Sequence, residues 1–254
     1  MTERTHPRSA VLAGTIVVTL ALLLPLASTA AGQSADFLFR QPKVSLAVRG
    51  GWAVPRAGSE IFDFTTDRLT VEQKDFAGLA VQGELTLRVT DQLDVALGVG
   101  YSQSRIRSEF RDFVEDNDLP IEQTTRFWRT PIEGGVKGYL RDRGRRISRF
   151  AWVPYSWTPY FAAGAGAMVY GFEQSGDFVD YQTLDIFTKN FRSEGTTPTA
   201  HVAAGLDLSV GPHVLATGEG RYQWARAEMS RDFVGFDPID LSGFQVTVGV
   251  AVRF

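Results

Sequence analysis
Gly243-Phe244-Gln245-Val246-Thr247-Val248-Gly249-Val250-Ala251-Val252-Arg253-Phe254 alternates without a break. Phe244, Val246, Val248, Val250, Val252 and Phe254 fall on one side, and Gln245, Thr247, Gly249, Ala251 and Arg253 on the other. A β-strand sends successive side chains to opposite faces, so this stretch is a strand with one oily and one polar or small-residue face. Seven further runs carry the same period. Lys43 to Val54 sets Val44, Leu46, Val48, Trp52 and Val54 against Ser45, Ala47, Arg49 and Gly51. Leu79 to Val89 sets Leu79, Val81, Leu85, Leu87 and Val89 against Ala80, Gln82, Glu84, Thr86 and Arg88. Runs from Leu93 to Ser102, Arg126 to Leu140, Pro159 to Phe172, Thr199 to Val210 and His213 to Trp224 complete the set.

The spacing between these runs is uneven. Four long links (55–76, 103–125, 173–196 and 225–241) alternate with the short turns at 90–92 and 211–212 and a longer turn at 141–156. No helical period is read after the N-terminal region, so the expectation is all-β: a closed antiparallel up-and-down transmembrane barrel of eight strands. A mean hydropathy of −0.08 is too polar for a helical membrane protein. The absence of cysteine excludes disulfides, thiolate metal sites and a lipid-anchored N-terminal cysteine. A net charge of −3 argues against a nucleic-acid partner.

At the N-terminus, Arg4 and Arg8 precede the apolar stretch Val11 to Leu24, followed by Pro25 and the small residues Ser28, Thr29, Ala30 and Ala31. That order reads as a secretory signal peptide over 1–31. A short periplasmic segment over 32–42 and the barrel over 43–254 follow.

Alternation does not say which face meets lipid, because a soluble lipocalin-like barrel has an oily interior. The polar face decides. It carries charges of both signs: Arg49, Glu84, Arg88, Asp94, Arg129, Glu133, Lys137, Asp207, Glu219, Arg221 and Arg253. A lipid-facing Arg or Lys at mid-bilayer costs about 2–4 kcal/mol, whereas opposite charges can pair across a narrow lumen. An eight-stranded barrel is just wide enough for its side chains to fill it, so these groups are expected to plug it. Aromatic rings should then mark the interfaces. Trp52, Tyr101, Trp128, Tyr170, Phe172, Tyr222, Trp224 and Phe244 are assigned to the outer rim, and Tyr139, Tyr160 and Phe254 to the periplasmic one.

The final strand resembles the assembly signal of bacterial outer-membrane proteins, with Thr247, Gly249, Val252 and the terminal Phe254 as its marks. Thr158 to Gly166 is similar to a glycine- and alanine-rich strand common in small outer-membrane barrels of the OmpA/OmpX type. The resemblance spans 43–254 and implies an eight-stranded barrel in the bacterial outer membrane with both termini periplasmic. It implies outer-membrane lipid and the barrel-assembly machinery as partners. No residues are left for the peptidoglycan-binding domain of larger OmpA-like proteins, so wall anchoring by that route is not expected.

Two features depart from the pattern. Pro131 lies inside a strand, where a bulge or a place above the membrane is expected. The 141–156 turn, with five arginines, could hold an extra hairpin and raise the count to ten strands. The four long links hold 20 acidic and 10 basic residues, a net −10. Solvated acidic loops are the plain reading, with cation bridging at Glu115, Asp116 and Asp118 as the sharper one. Asp-Phe-Val recurs at 112–114, 177–179 and 232–234, suggesting aromatics closing over the barrel mouth. His201 is read as a packed lumen residue ahead of a general base. The expectation is a monomeric, non-enzymatic, cofactor-free and metal-free barrel that binds a surface ligand through its loops or supports the envelope. The alternatives are a narrow pore or lateral route for small hydrophobic solutes, and a lipid-modifying barrel enzyme.

Overall fold
A computed structural model describes residues 37–114, 119–180, 183 and 185–254. The signal-peptide reading and the Glu115, Asp116 and Asp118 site lie outside these residues. Eleven strands are present among the described residues: β1 (Val44–Pro55), β2 (Gly78–Arg88), β3 (Leu93–Val114), β4 (Pro120–Tyr139), β5 (Gly144–Ser148), β6 (Ala151–Pro154), β7 (Trp157–Val179), β8 (Ile186–Ser209), β9 (Val214–Ala227), β10 (Ile239–Asp240) and β11 (Gly243–Arg253). Eight of them form a ring. Each of β1, β2, β3, β4, β7, β8, β9 and β11 pairs antiparallel with its neighbour, and β11 closes on β1 from Ser45↔Arg253 to Pro55↔Gly243. Closure gives every ring strand two partners, although β3 beyond Gln103 and β8 before Thr199 extend past β2 and β9 with no ring strand on that edge.

The wall is lopsided. β3, β4, β7 and β8 run 20 to 24 residues, against 11 to 14 for β1, β2, β9 and β11. The links at 103–125 and 173–196 are therefore largely hairpin, which corrects the expectation of loops there. The ladders continue from Gln103↔Trp128 to Glu109↔Glu122 and from Gln174↔Phe191 to Val179↔Ile186. Backbone pairing needs no oily face, so hydrophobic period had little to reveal in these extensions.

Side chains divide by parity. Leu79, Val81, Leu85, Leu87, Val95, Leu97, Val99, Val246, Val248 and Val250 are exposed on the outer surface, while Gln82, Glu84, Thr86 and Asp94 are buried inside. Exposed Trp52, Tyr101, Trp224 and Phe244 sit toward the long-link end. Tyr170, Phe172, Tyr139 and Tyr160 point inward and are buried, contrary to their assignment as rim aromatics. Each shares the parity of the lumen residues of its strand, and parity fixes the face.

Pro131 makes no bulge. The pairs Val99↔Ile132 and Ser102↔Arg129 on either side of it hold one register, and Pro131 itself faces Met168 of β7. Gly100 gives its ring room: a Cβ there would lie 3.1 Å from Pro131 Cγ. The 141–156 turn does contain a hairpin, but β5 and β6 form a separate two-stranded sheet and the ring stays at eight.

The long-link end holds the apolar core and one helix that hydrophobic period did not foresee, α1 (Glu60–Arg68). It is short for a periodic signal, yet its ends are ordinary. Ser59 precedes it, Glu60 and Asp63 stand in its first turn and Arg68 in its last, matching the helix dipole. Ile61 and Phe62 are buried with Phe76, Phe127, Met168, Tyr170, Phe172, Phe233, Ile239 and Leu241, closing the mouth of the ring.

Candidate functional site
Midway through the ring the inward side chains form one connected ionic cluster. Arg49 Nη2 lies 2.7 Å from Glu84 and 3.3 Å from Glu219. Lys137 Nζ reaches Glu84 at 3.5 Å and Asp207 at 3.6 Å. Arg221 spans Glu133 and Glu219, each at 3.0 Å. His201 Nδ1 is 2.9 Å from Glu133. Neutral donors complete the set: Tyr160 donates to Glu219 at 2.9 Å, Tyr139 to Asp207 at 3.1 Å and Gln223 to Glu133 at 2.9 Å. Strands from every side of the ring contribute, because inward residues at one height converge on the axis.

Burial makes these pairs strong and costly to break, since a buried charge stripped of its partner loses both water and counter-charge. Little space is left between them. Cavities of about 40 Å³ beside Arg49, Lys137 and Asp207 and about 10 Å³ beside Glu133, His201 and Arg221 remain. A single water needs roughly 10–15 Å³ by this kind of measure. The cluster fills most of the lumen at this height and leaves room for a few waters.

Seven of the eleven residues expected to plug the lumen meet in it: Arg49, Glu84, Glu133, Lys137, Asp207, Glu219 and Arg221. Four do not. Asp94 pairs at 2.6 Å with Arg143 from the turn before β5. Arg88 donates to the Pro42 carbonyl and lies over the Trp152 ring. Arg129 donates to the Leu241 carbonyl at 2.7 Å, above the cluster and under the apolar cap. Arg253 likewise turns to the carbonyls of Pro212 and Gly211 at the short-turn end. His201 is a packed lumen residue as expected, while Tyr139, Tyr160 and Gln223 join the cluster without having been expected in it, although parity alone places each of them inside.

Above the plug lies an aromatic crown. Phe62 meets Phe76, Phe127 and Phe172 edge to face, with ring centroids 4.9 to 5.8 Å apart. Of the repeated Asp-Phe-Val segments, two converge: Phe178 and Phe233 both contact Phe191. Phe113 of the third touches Phe110. A cavity of about 220 Å³ opens among Phe64, Phe110, Phe178, Phe187, Phe191 and Phe236, with Arg68 and Asp232 also on its lining. At the last strand, Thr247 faces inward, buried, and Phe254 is exposed. A Cβ on Gly249 would lie only 2.0 Å from the Val48 carbonyl, so the close approach of β1 explains glycine there.

No protein-family model matches this sequence, and no curated protein matches it. Among solved structures the chain is similar to Neisserial surface protein A at 12% identity and a TM-score of 0.44, over 87% of this chain and 98% of that one. It is similar to the outer membrane protein OprG from Pseudomonas aeruginosa at 11% identity and a TM-score of 0.43, over 85% and 99%. It is similar to Ail, the attachment invasion locus protein of Yersinia pestis, at 12% identity and a TM-score of 0.39, over 84% and 100%. The ring of strand pairs, its oily exterior and its ionic interior carry the assignment by themselves. On them, this chain is a closed eight-stranded antiparallel up-and-down β-barrel with an apolar outer face and an ionic interior.

Proposed function
We propose that this chain is a non-enzymatic barrel of the bacterial outer membrane that acts as a structural or surface-binding protein. Both termini and the short turns face the periplasm, and the long acidic links face outward. It works as a monomer and binds no nucleic acid. The barrel-assembly machinery reads its last strand, the belt of Leu and Val meets lipid, and the links with α1 present a surface to a ligand. The observation that carries the reading is the plug: a continuous buried ion-pair cluster, with cavities of only about 40 and 10 Å³ beside it, argues for a closed lumen. His201, buried against Glu133, is out of reach of a lipid substrate, which disfavours the lipid-modifying alternative. Planar bilayers test this directly. The protein should insert and pass no discrete current steps; step-like openings would refute the plug.

A second reading is favoured by the phenylalanine-lined cavity at the crown: a lateral route for small hydrophobic solutes. Its test is uptake. Cells carrying Phe191→Asp should take up a small aromatic hydrocarbon more slowly than wild type if the route exists, and equally fast if the barrel is only a scaffold.

A further inference from the structure
The short-turn end carries a second, larger concavity. A groove of about 780 Å³ lies between the segment at 39–43, the β2–β3 turn and the β5–β6 hairpin. Five cations line it, Arg40, Lys43, Arg88, Arg146 and Arg149, against one carboxylate, Asp91. Asp91 already accepts a hydrogen bond from the Gln41 amide. None of the ion pairs among the described residues involves any of the five cations. The groove is built: Leu38 exchanges backbone hydrogen bonds with Trp152 at 2.8 Å, and Arg146 donates to Gln41 at 3.2 Å, tying the N-terminal segment to the hairpin.

Its walls are also oily where they meet the barrel. Val89, exposed at the lower edge of the outer belt below Leu87 and Leu85, lines the groove together with exposed Phe39. Ile147 and Phe150, both exposed, stand beside Arg146 and Arg149 on the hairpin. Arginines next to exposed aromatic and aliphatic side chains suit a phosphate-rich surface with hydrocarbon behind it. A free anion would use the cations and leave the apolar wall idle.

We propose that this groove is a binding site for the headgroup of an anionic phospholipid, with the phosphate held by Arg40, Lys43, Arg146 and Arg149 and the acyl chains laid along Val89 and Leu87. The proposal rests on the reading of the chain as a membrane barrel. Anionic lipid is preferred over zwitterionic because the one carboxylate available to a choline or ethanolamine cation is already engaged. The ligand would tie the hairpin to the inner leaflet beside the barrel.

The test uses the chain lacking residues 1–31, refolded in a neutral detergent, with native mass spectrometry counting bound dioleoyl phosphatidylglycerol or dioleoyl phosphatidylcholine. Wild type should retain phosphatidylglycerol at roughly tenfold lower lipid concentration than phosphatidylcholine, since several basic residues each add to the attraction for anionic lipid. Arg40→Gln/Arg146→Gln/Arg149→Gln should lose that preference. Arg105→Gln/Arg107→Gln/Arg126→Gln, which removes equal charge from exposed positions at the opposite end, should keep it. Equal binding of the two lipids, or loss of preference in both triple variants, would overturn the proposal. Displacement of phosphatidylglycerol by an equal concentration of inorganic phosphate would overturn it in favour of a free-anion site, and tighter binding of a heparin fragment in favour of a glycan. Heat-modifiable gel mobility is read on the same samples. Its absence would sink the barrel reading itself, whereas normal mobility without lipid preference would sink this inference alone.

Discussion

Arg49 shows what one side chain contributes. It is buried and bridges Glu84 and Glu219, so Arg49→Ala would remove the cation between them and leave Glu84 with Lys137 and Glu219 with Arg221. Breaking a buried pair from one side costs about 3–5 kcal/mol, and urea unfolding in lipid vesicles should show a loss of that size. Lys74 pairs with Glu72 in full solvent at 2.7 Å, and the same assay on Lys74→Ala should show no measurable change, because water and salt screen such a pair. Period two along each run sets the inward direction of Arg49, Glu84, Glu133, Lys137 and Glu219. It could not give their partners, which come from β1, β2, β4, β8 and β9 and meet only when the ring closes. The pairing of Asp94 with Arg143 was invisible for the same reason. Tyr170 was legible and misassigned: it shares parity with Tyr160 and Met168, and that parity outweighs any preference of tyrosine for a membrane rim.

Among elements, α1 and the β5–β6 hairpin behave differently because they touch different neighbours. Phe62 of α1 is wholly buried among Phe76, Phe127 and Phe172. Phe62→Ala should cost about 3–5 kcal/mol of local stability. The loss should appear as faster amide hydrogen exchange and protease cleavage within 56–77, with the heat-modifiable mobility of the barrel intact. Collapse of the whole ring would mean that the crown is not a separate layer above the plug. Among the described residues, the strand pairing of the β5–β6 hairpin is with itself and, through Trp152, with Leu38. Replacing 144–154 by a short Gly/Ser turn should therefore leave an eight-stranded barrel that still migrates faster unheated; loss of that shift would show that the ring needs the hairpin. Neither element announced itself clearly in the sequence. Nine residues with two polar threonines give too few turns for a helical period to stand out. In the hairpin, Arg145, Arg146 and Arg149 mask the alternation.

At the scale of the molecule, charge and grease are segregated along two directions. Across the wall, Leu and Val face out and the ion pairs face in. Along the axis, the phenylalanine-rich crown with α1 closes one end, and an arginine-rich turn underlies the other. The first segregation is what the alternating runs already declared. The lopsided height of β3, β4, β7 and β8 was hidden, because strand extension above the oily belt is written in backbone pairing and not in hydropathy. The central claim is that the belt meets hydrocarbon. A chain without cysteine invites single-cysteine labelling, and spin labels placed one at a time from 79 to 89 and from 243 to 253 in lipid vesicles read the local solvent. At 79, 81, 85, 87, 246, 248 and 250 oxygen dissolved in lipid should relax the label strongly while a water-soluble nickel chelate should not, with neither reaching 82, 84, 86 or 247. Strong nickel access at the outward positions, or accessibility that does not alternate, would contradict the account.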